Sequence, residues 1–167
     1  LTVFVWRFSH GITILLLGLI ATSLFYSEFR HVPLLPNFLV AAASASSVLF
    51  PVALGRNSPQ VWPLFLGAFF AIFGREIIKD IEDASTDGNH KWTLPLKFGE
   101  RKSRIVAACL IASAAILSAT ISLVTAFGSV LLFLSVGSLL FGKSTRTAKS
   151  FLDFGMLATI LLLLFTT

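Results

Sequence analysis

Carboxylates are scarce in this chain: eight Asp and Glu among 167 residues, against thirteen Lys and Arg. Charged residues make up 13% of the sequence and hydrophobic ones 56%. A soluble globular domain carries about a quarter charged residues, so a water-facing surface over most of the chain is excluded. Cysteine is also nearly absent. The lone Cys109 rules out an intrachain disulfide and any Cys-x-x-Cys redox or zinc motif. Set in an apolar run, it reads as a buried, inert thiol. The three histidines, His10, His31 and His90, share no metal-ligand spacing, and neither a phosphate loop nor a nucleophile elbow occurs.

What is abundant is apolar. Seventeen Phe and long Leu, Ile and Ala runs raise the mean hydropathy to +0.89. These features describe an all-α, polytopic transmembrane bundle forming a single membrane domain over residues 1–167. Six apolar segments are marked, roughly Val3–Phe25, Asn37–Leu54, Val61–Asp80, Ser103–Ala126, Phe127–Phe141 and Thr147–Thr166. Most approach the ~20 residues that a spanning helix requires. The fifth is short, and Gly128 is expected to mark a tight turn before it. Pro33 and Pro36 separate the first pair, and Gly55, Asn57, Ser58 and Pro59 the second. Pro51 is expected to kink the second helix near its end. Asp87-Gly88-Asn89 reads as a turn and Thr93-Leu94-Pro95 as a stop. The Ala/Ser run Ala41–Ser47 suits close helix packing.

With six spans, the connections after the first, third and fifth share one side. That side holds Arg30; Arg75, Lys79, Lys91, Lys97, Arg101, Lys102 and Arg104; and Lys143, Arg146 and Lys149. These are 11 of the 13 basic residues, leaving Arg7 and Arg56 opposite. Such asymmetry predicts that this side is cytoplasmic, or stromal or matrix in an organelle such as a plastid or mitochondrion. The net charge of +5 is spread over helix ends instead of one stripe, which argues against a nucleic-acid partner. The chain begins with Leu1 and has no signal-peptide pattern; it reads as a processed chain or a fragment of a longer one.

The few carboxylates gather. Glu76, Asp80, Glu82, Asp83 and Asp87 are five of the eight, and Glu100 follows closely. Charge beside a membrane is expensive and marks a functional site. Glu76, Asp80, Asp83 and Asp87 follow spacings of four, three and four, which place them on one helical face if the helix continues through Asp87. Their mutual repulsion calls for a cation among them. Carboxylate oxygens suit Mg²⁺, which takes one or two protein carboxylates and fills its shell with water and phosphate oxygens. Arg75 and Lys79, one turn apart, are placed to meet a diphosphate, the first as a fork and the second as a point charge. The bland alternative is an interfacial helix end whose charges pair locally, as in Lys79 with Asp83. Asp153, near the C-terminus, is expected to pair with Lys149 one turn earlier.

The stretch REIIKDIEDASTD, followed after a gap by TLPLKFG, resembles the second aspartate-rich motif of the UbiA-type intramembrane prenyltransferases. The form is closest to the geranylgeranylglycerol-phosphate synthase-like branch. A second match, Tyr26-x-x-x-Arg30 before Pro33, resembles the family's Tyr-x-x-x-Lys/Arg ahead of a basic loop. Members usually have nine transmembrane helices and two aspartate motifs facing each other across a central cavity. The chain, with about six transmembrane helices, therefore resembles helices four to nine. The first motif, Asn-Asp-x-x-Asp-x-x-x-Asp, has no counterpart in the sequence.

The resemblance implies Mg²⁺-dependent prenyl transfer from an isoprenyl diphosphate to a lipophilic acceptor. Asp80, Asp83 and Asp87 would be the catalytic, metal-binding residues, and Tyr26, Arg30, Arg75 and Lys79 would meet the diphosphate. One motif is half of a metal clamp and is not expected to catalyse alone, so the enzyme reading requires a longer chain or a partner supplying the other half. The rival expectation is a non-catalytic UbiA-derived scaffold in a larger photosynthetic or respiratory complex. In that case membrane lipids, and a protein partner covering the faces left by absent helices, would contact it.

Overall fold

The apolar segments fold as helices in a computed structural model, which describes residues 10–29, 32, 34–56, 58–84, 93–142 and 144–164. In chain order these are α1 (His10–Glu28), α2 (Leu35–Ala45), a 3₁₀ turn (Ser46–Leu49) leading into α3 (Phe50–Ala53), α4 (Val61–Asp83), α5 (Leu94–Phe98), α6 (Glu100–Ile121), α7 (Leu123–Phe141) and α8 (Thr145–Leu164). No strand occurs among the described residues. The protein is an all-α, multi-pass membrane bundle. Leu35–Ala53, α4, α6 and α7 are long and apolar enough to cross a membrane, and His10–Tyr26 is a shorter apolar helix. The last helix, α8, has 20 residues and carries Arg146, Lys149 and Asp153 in its first half.

Local chemistry sets the boundaries. Pro51 lacks an N–H and crowds the preceding turn; the chain tightens to 3₁₀ over Ser46–Leu49 just before it, the expected distortion. Two boundary expectations are corrected. The turn between the fourth and fifth segments lies at Ser122, not at Gly128. Ser122 is extended, its hydroxyl accepts from the Thr125 N–H, and Thr125 Oγ1 accepts from the Ser122 N–H. This reciprocal cap starts α7 at Leu123, so the fifth segment is a full 19 residues. Thr93-Leu94-Pro95 is not a stop either. Proline is tolerated in a first helical turn, and Pro95 sits there in α5, with Thr93 as the extended residue before it.

Packing relies on small residues, as helices in lipid require. The central pair is α4 against α6, where a Cβ on Gly74 would come within 2.8 Å of Ile111 Cγ1. Ile77, Ile78, Ala107 and Ile111 are buried there. Next, α6 packs on α7 and α7 on α8. Gly128 belongs to that last contact: a Cβ added to it would collide with Thr159, whose backbone nitrogen is 3.1 Å away. The buried Ser135 hydroxyl donates to the Ala148 carbonyl at 2.7 Å, tying α7 to α8. Outward faces carry large apolar side chains such as Phe127, Phe133 and Phe154. Cys109 is among the exposed residues, which corrects the expected buried thiol; its neighbours Ala107, Ala108 and Ile111 point inward instead.

The contacts between helices that charged side chains make collect, among the described residues, at one end of the bundle. The C-terminal part of α4 meets the start of α2 through Asp80 and Asn37. It meets α8 through Glu82 and Lys149. Arg104, at the start of α6, donates to the Gly142 carbonyl that follows α7. The helix ends that flank the connections after the first, third and fifth segments thus lie at one end of the bundle, as the count of six spans predicts.

Candidate functional site

The acidic end of α4 is built by helical phase. Five residues separate Arg75 from Asp80, a rotation of about 140° at ~100° per residue, so the two point to different neighbours. Arg75 turns to α8, where its Nε lies 2.7 Å from Asp153 Oδ1. A longer contact of 3.4 Å joins it to Glu76. Glu82 lies on the same side and accepts from Lys149 Nζ at 3.0 Å. The Asp153–Lys149 pair expected from sequence is therefore corrected: each of the two reaches across to α4 instead. Between these two pairs lies an open polar cleft of about 580 Å³, lined by Glu82, Thr145, Arg146, Lys149, Ser150 and Asp153.

Asp80 faces the other way. Its Oδ2 accepts a hydrogen bond of 2.7 Å from the Asn37 amide of α2. The carboxylate is partly buried and has no cation in salt-bridge contact among the described residues. Lys79 is exposed and reaches Glu76 at 3.7 Å, one turn back, instead of the expected Asp83. Asp83, the last residue of α4, is exposed. Helical phase puts Glu76, Asp80 and Asp83 within one sector, so three carboxylates share the α2 side of α4. Among the described residues no group of three or more His, Cys, Asp or Glu side chains closes around a metal position.

The remaining expected site residues divide in two. Tyr26 is exposed near the end of α1 and lines a groove of about 270 Å³ with Leu19, Thr22, Leu39 and Ala43; among the described residues no hydrogen bond joins it to Asp80 or Asp83. Arg30 and Asp87 lie outside the described residues. Asn37 is a residue that sequence reasoning missed. Its only signal is an amide near the start of a mostly apolar helix, directly after Pro36.

Whether this arrangement suits Mg²⁺ is a question of donor chemistry. A magnesium ion asks for oxygen ligands, and one or two carboxylates suffice because water and phosphate oxygens complete its octahedron. Asp80 and Asp83 are oxygen donors of the right kind. Asp80 is oriented by a neutral amide, which leaves its negative charge unneutralised. The residues present fit the ion.

The chain belongs to the UbiA prenyltransferase family, whose model matches residues 1–164. It is similar to proteins named digeranylgeranylglyceryl phosphate synthase from several organisms. The one from Natronomonas pharaonis is 35% identical over 145 residues, 86% of this chain and 52% of that protein. The one from Methanocaldococcus jannaschii is 34% identical over 106 residues, 63% of this chain and 37% of that protein. The one from Methanopyrus kandleri is 39% identical over 93 residues, 54% of this chain and 34% of that protein. The chain spans about half the length, or less, of these curated relatives. No solved structure matches it.

Proposed function

We propose that this chain forms the second aspartate-motif half of a UbiA-type site that transfers a prenyl group from an isoprenyl diphosphate to a lipophilic acceptor. The name shared by the relatives points to a glyceryl phosphate lipid as that acceptor. The single observation that carries the reading is the Asp80 carboxylate. It is held at the charged end of the bundle, on a family-matching motif, by an amide and not by a cation.

Asp80 and Asp83, with Asp87 beyond the end of α4, are the residues that would hold Mg²⁺. When bound, the ion supplies positive charge that offsets the diphosphate's as it departs. Lys79, exposed on the same end of α4 and held, among the described residues, only by the long 3.7 Å contact with Glu76, is proposed to leave it for the diphosphate. Tyr26 and Arg30 are proposed to approach the diphosphate from the end of α1. Arg75, engaged by Asp153, is proposed to hold α4 against α8. In the transfer itself the allylic C–O bond breaks with its electron pair going to the diphosphate. The acceptor oxygen bonds to the allylic carbon and loses its proton to water. The apolar helix faces keep the chain away from solvent, so the allylic cation character is not quenched by hydrolysis. The excess of basic residues at this end supports a cytoplasmic orientation for the site.

The test is transfer of a labelled isoprenyl group by the native protein in lipid, with and without EDTA. Asp83→Asn should lower the rate by at least about tenfold, as loss of charge stabilisation at a departing group does. Undiminished transfer in EDTA would refute the Mg²⁺ reading.

A further inference from the structure

We infer that Asn37 is the positioning residue for Asp80: its amide fixes the carboxylate through Oδ2, so that Oδ1 would be left to a divalent cation. This rests on the Mg²⁺ reading above.

The bond spans 43 positions of sequence and measures 2.7 Å between Nδ2 and Oδ2. Its geometry is set on both sides. Leu34, before α2, adopts a left-handed backbone with φ 68°, unique among described non-glycine residues. Such a conformation is unfavourable for a residue with a side chain and persists where surroundings impose it. The Leu34 carbonyl then accepts from the Phe38 N–H at 2.9 Å, which starts the helix. Asn37, Ala41 and Ala45 follow at intervals of four and share one face of α2. Ala41 and Ala45 are fully buried, so that face is pressed on α4. Beside Asn37, the Phe38 ring meets Phe69 and Phe73 of α4 edge-on, at centroid distances of 5.3 and 6.2 Å. Asn37 is therefore delivered to Asp80 by packing that leaves it little freedom.

The chemistry of the donor decides what the contact is for. A Lys or Arg in its place would neutralise Asp80 and compete with a metal ion. An amide orients the carboxylate and leaves the charge in place. The nearby cations are held elsewhere: Arg75 by Asp153, Lys149 by Glu82 and Lys79 by Glu76. Asp80 is thus aligned but not neutralised, as a metal-binding carboxylate must be. Hydrogen-bond partners of metal ligands typically change metal affinity by about 10–100-fold when removed.

The experiment follows the thermal midpoint of the native full-length protein in nanodiscs as Mg²⁺ alone is titrated, since a bound ion raises the midpoint by mass action. Wild type should show saturable stabilisation, and Asp80→Asn should show none. Asn37→Leu should need about tenfold more Mg²⁺ for half the effect, with Asn37→Gln intermediate. A purely structural role would lower the midpoint without metal and leave the half-saturating concentration unchanged; that result overturns the inference. If Asn37→Leu fails to fold, Asn37→Thr serves, with the same expected rise and the same overturning result. A wild type indifferent to Mg²⁺, or an Asp80→Asn protein that responds like wild type, would sink the metal reading and this inference together. Normal responses from both with an unshifted Asn37 variant would sink the Asn37 role alone.

Discussion

Arg75 Nε and Asp153 Oδ1 stand 2.7 Å apart across two helices separated by 78 positions of sequence. The arginine of the acidic motif is therefore bound to α8, on the side of α4 away from Asp80. Both side chains are more than a third exposed, and such pairs contribute about 0.2–1 kcal/mol. A double-mutant cycle of Arg75→Met and Asp153→Leu, read by thermal unfolding in detergent, should show coupling in that range. Full additivity would mean that Arg75 has another partner.

Gly128 is a packing position. A Cβ added there would overlap the Thr159 hydroxyl and press on the α8 backbone, whose Thr159 N and Cα would lie 3.1 and 3.2 Å from it. Overpacking of this kind costs typically about 1–3 kcal/mol. Gly128→Ala should lower stability by that amount, while Gly137→Ala, with nothing within 4 Å of its added Cβ, should be neutral or slightly stabilising. Equal effects at the two glycines would contradict the packing described.

Ser135 should prove cheap to replace despite complete burial. Its hydroxyl bonds to the Ala148 carbonyl, and hydrogen bonds between helices in membrane proteins average about 0.6 kcal/mol. Ser135→Ala is expected to cost near that value. A loss several times larger would show that the contact carries more of the α7–α8 association.

The helices were legible because apolar runs broken by Pro, Gly and Asn leave few alternatives. Their junctions were less so. A glycine at a turn and a glycine at a crossing look alike in one dimension, and Gly128 is the second kind. The true junction at Ser122 carries a cap whose reciprocal member is Thr125, a weaker signal than the usual Glu or Gln. Cys109 sits in an apolar run, but an apolar run in a membrane helix has an outer face as well as an inner one. The acidic motif was visible from charge scarcity and family resemblance. What it touches was not: Asn37 and Asp153 come from distant positions, and only the fold decides that Lys149 reaches Glu82 instead of its neighbour one turn on.

On the reading proposed above, the α2 side of α4, and not the α8 side, carries the diphosphate chemistry. The most direct measurement is kcat for prenyl transfer by the native protein at saturating Mg²⁺, comparing Asp80→Asn with Asp153→Asn. Loss of a group stabilising charge at a departing anion costs about 10²–10³-fold in kcat. Asp80→Asn should fall by at least about 100-fold, with Asp153→Asn close to wild type. The reverse order, with Asp80→Asn active and Asp153→Asn dead, would contradict the assignment and move the site to the cleft between α4 and α8.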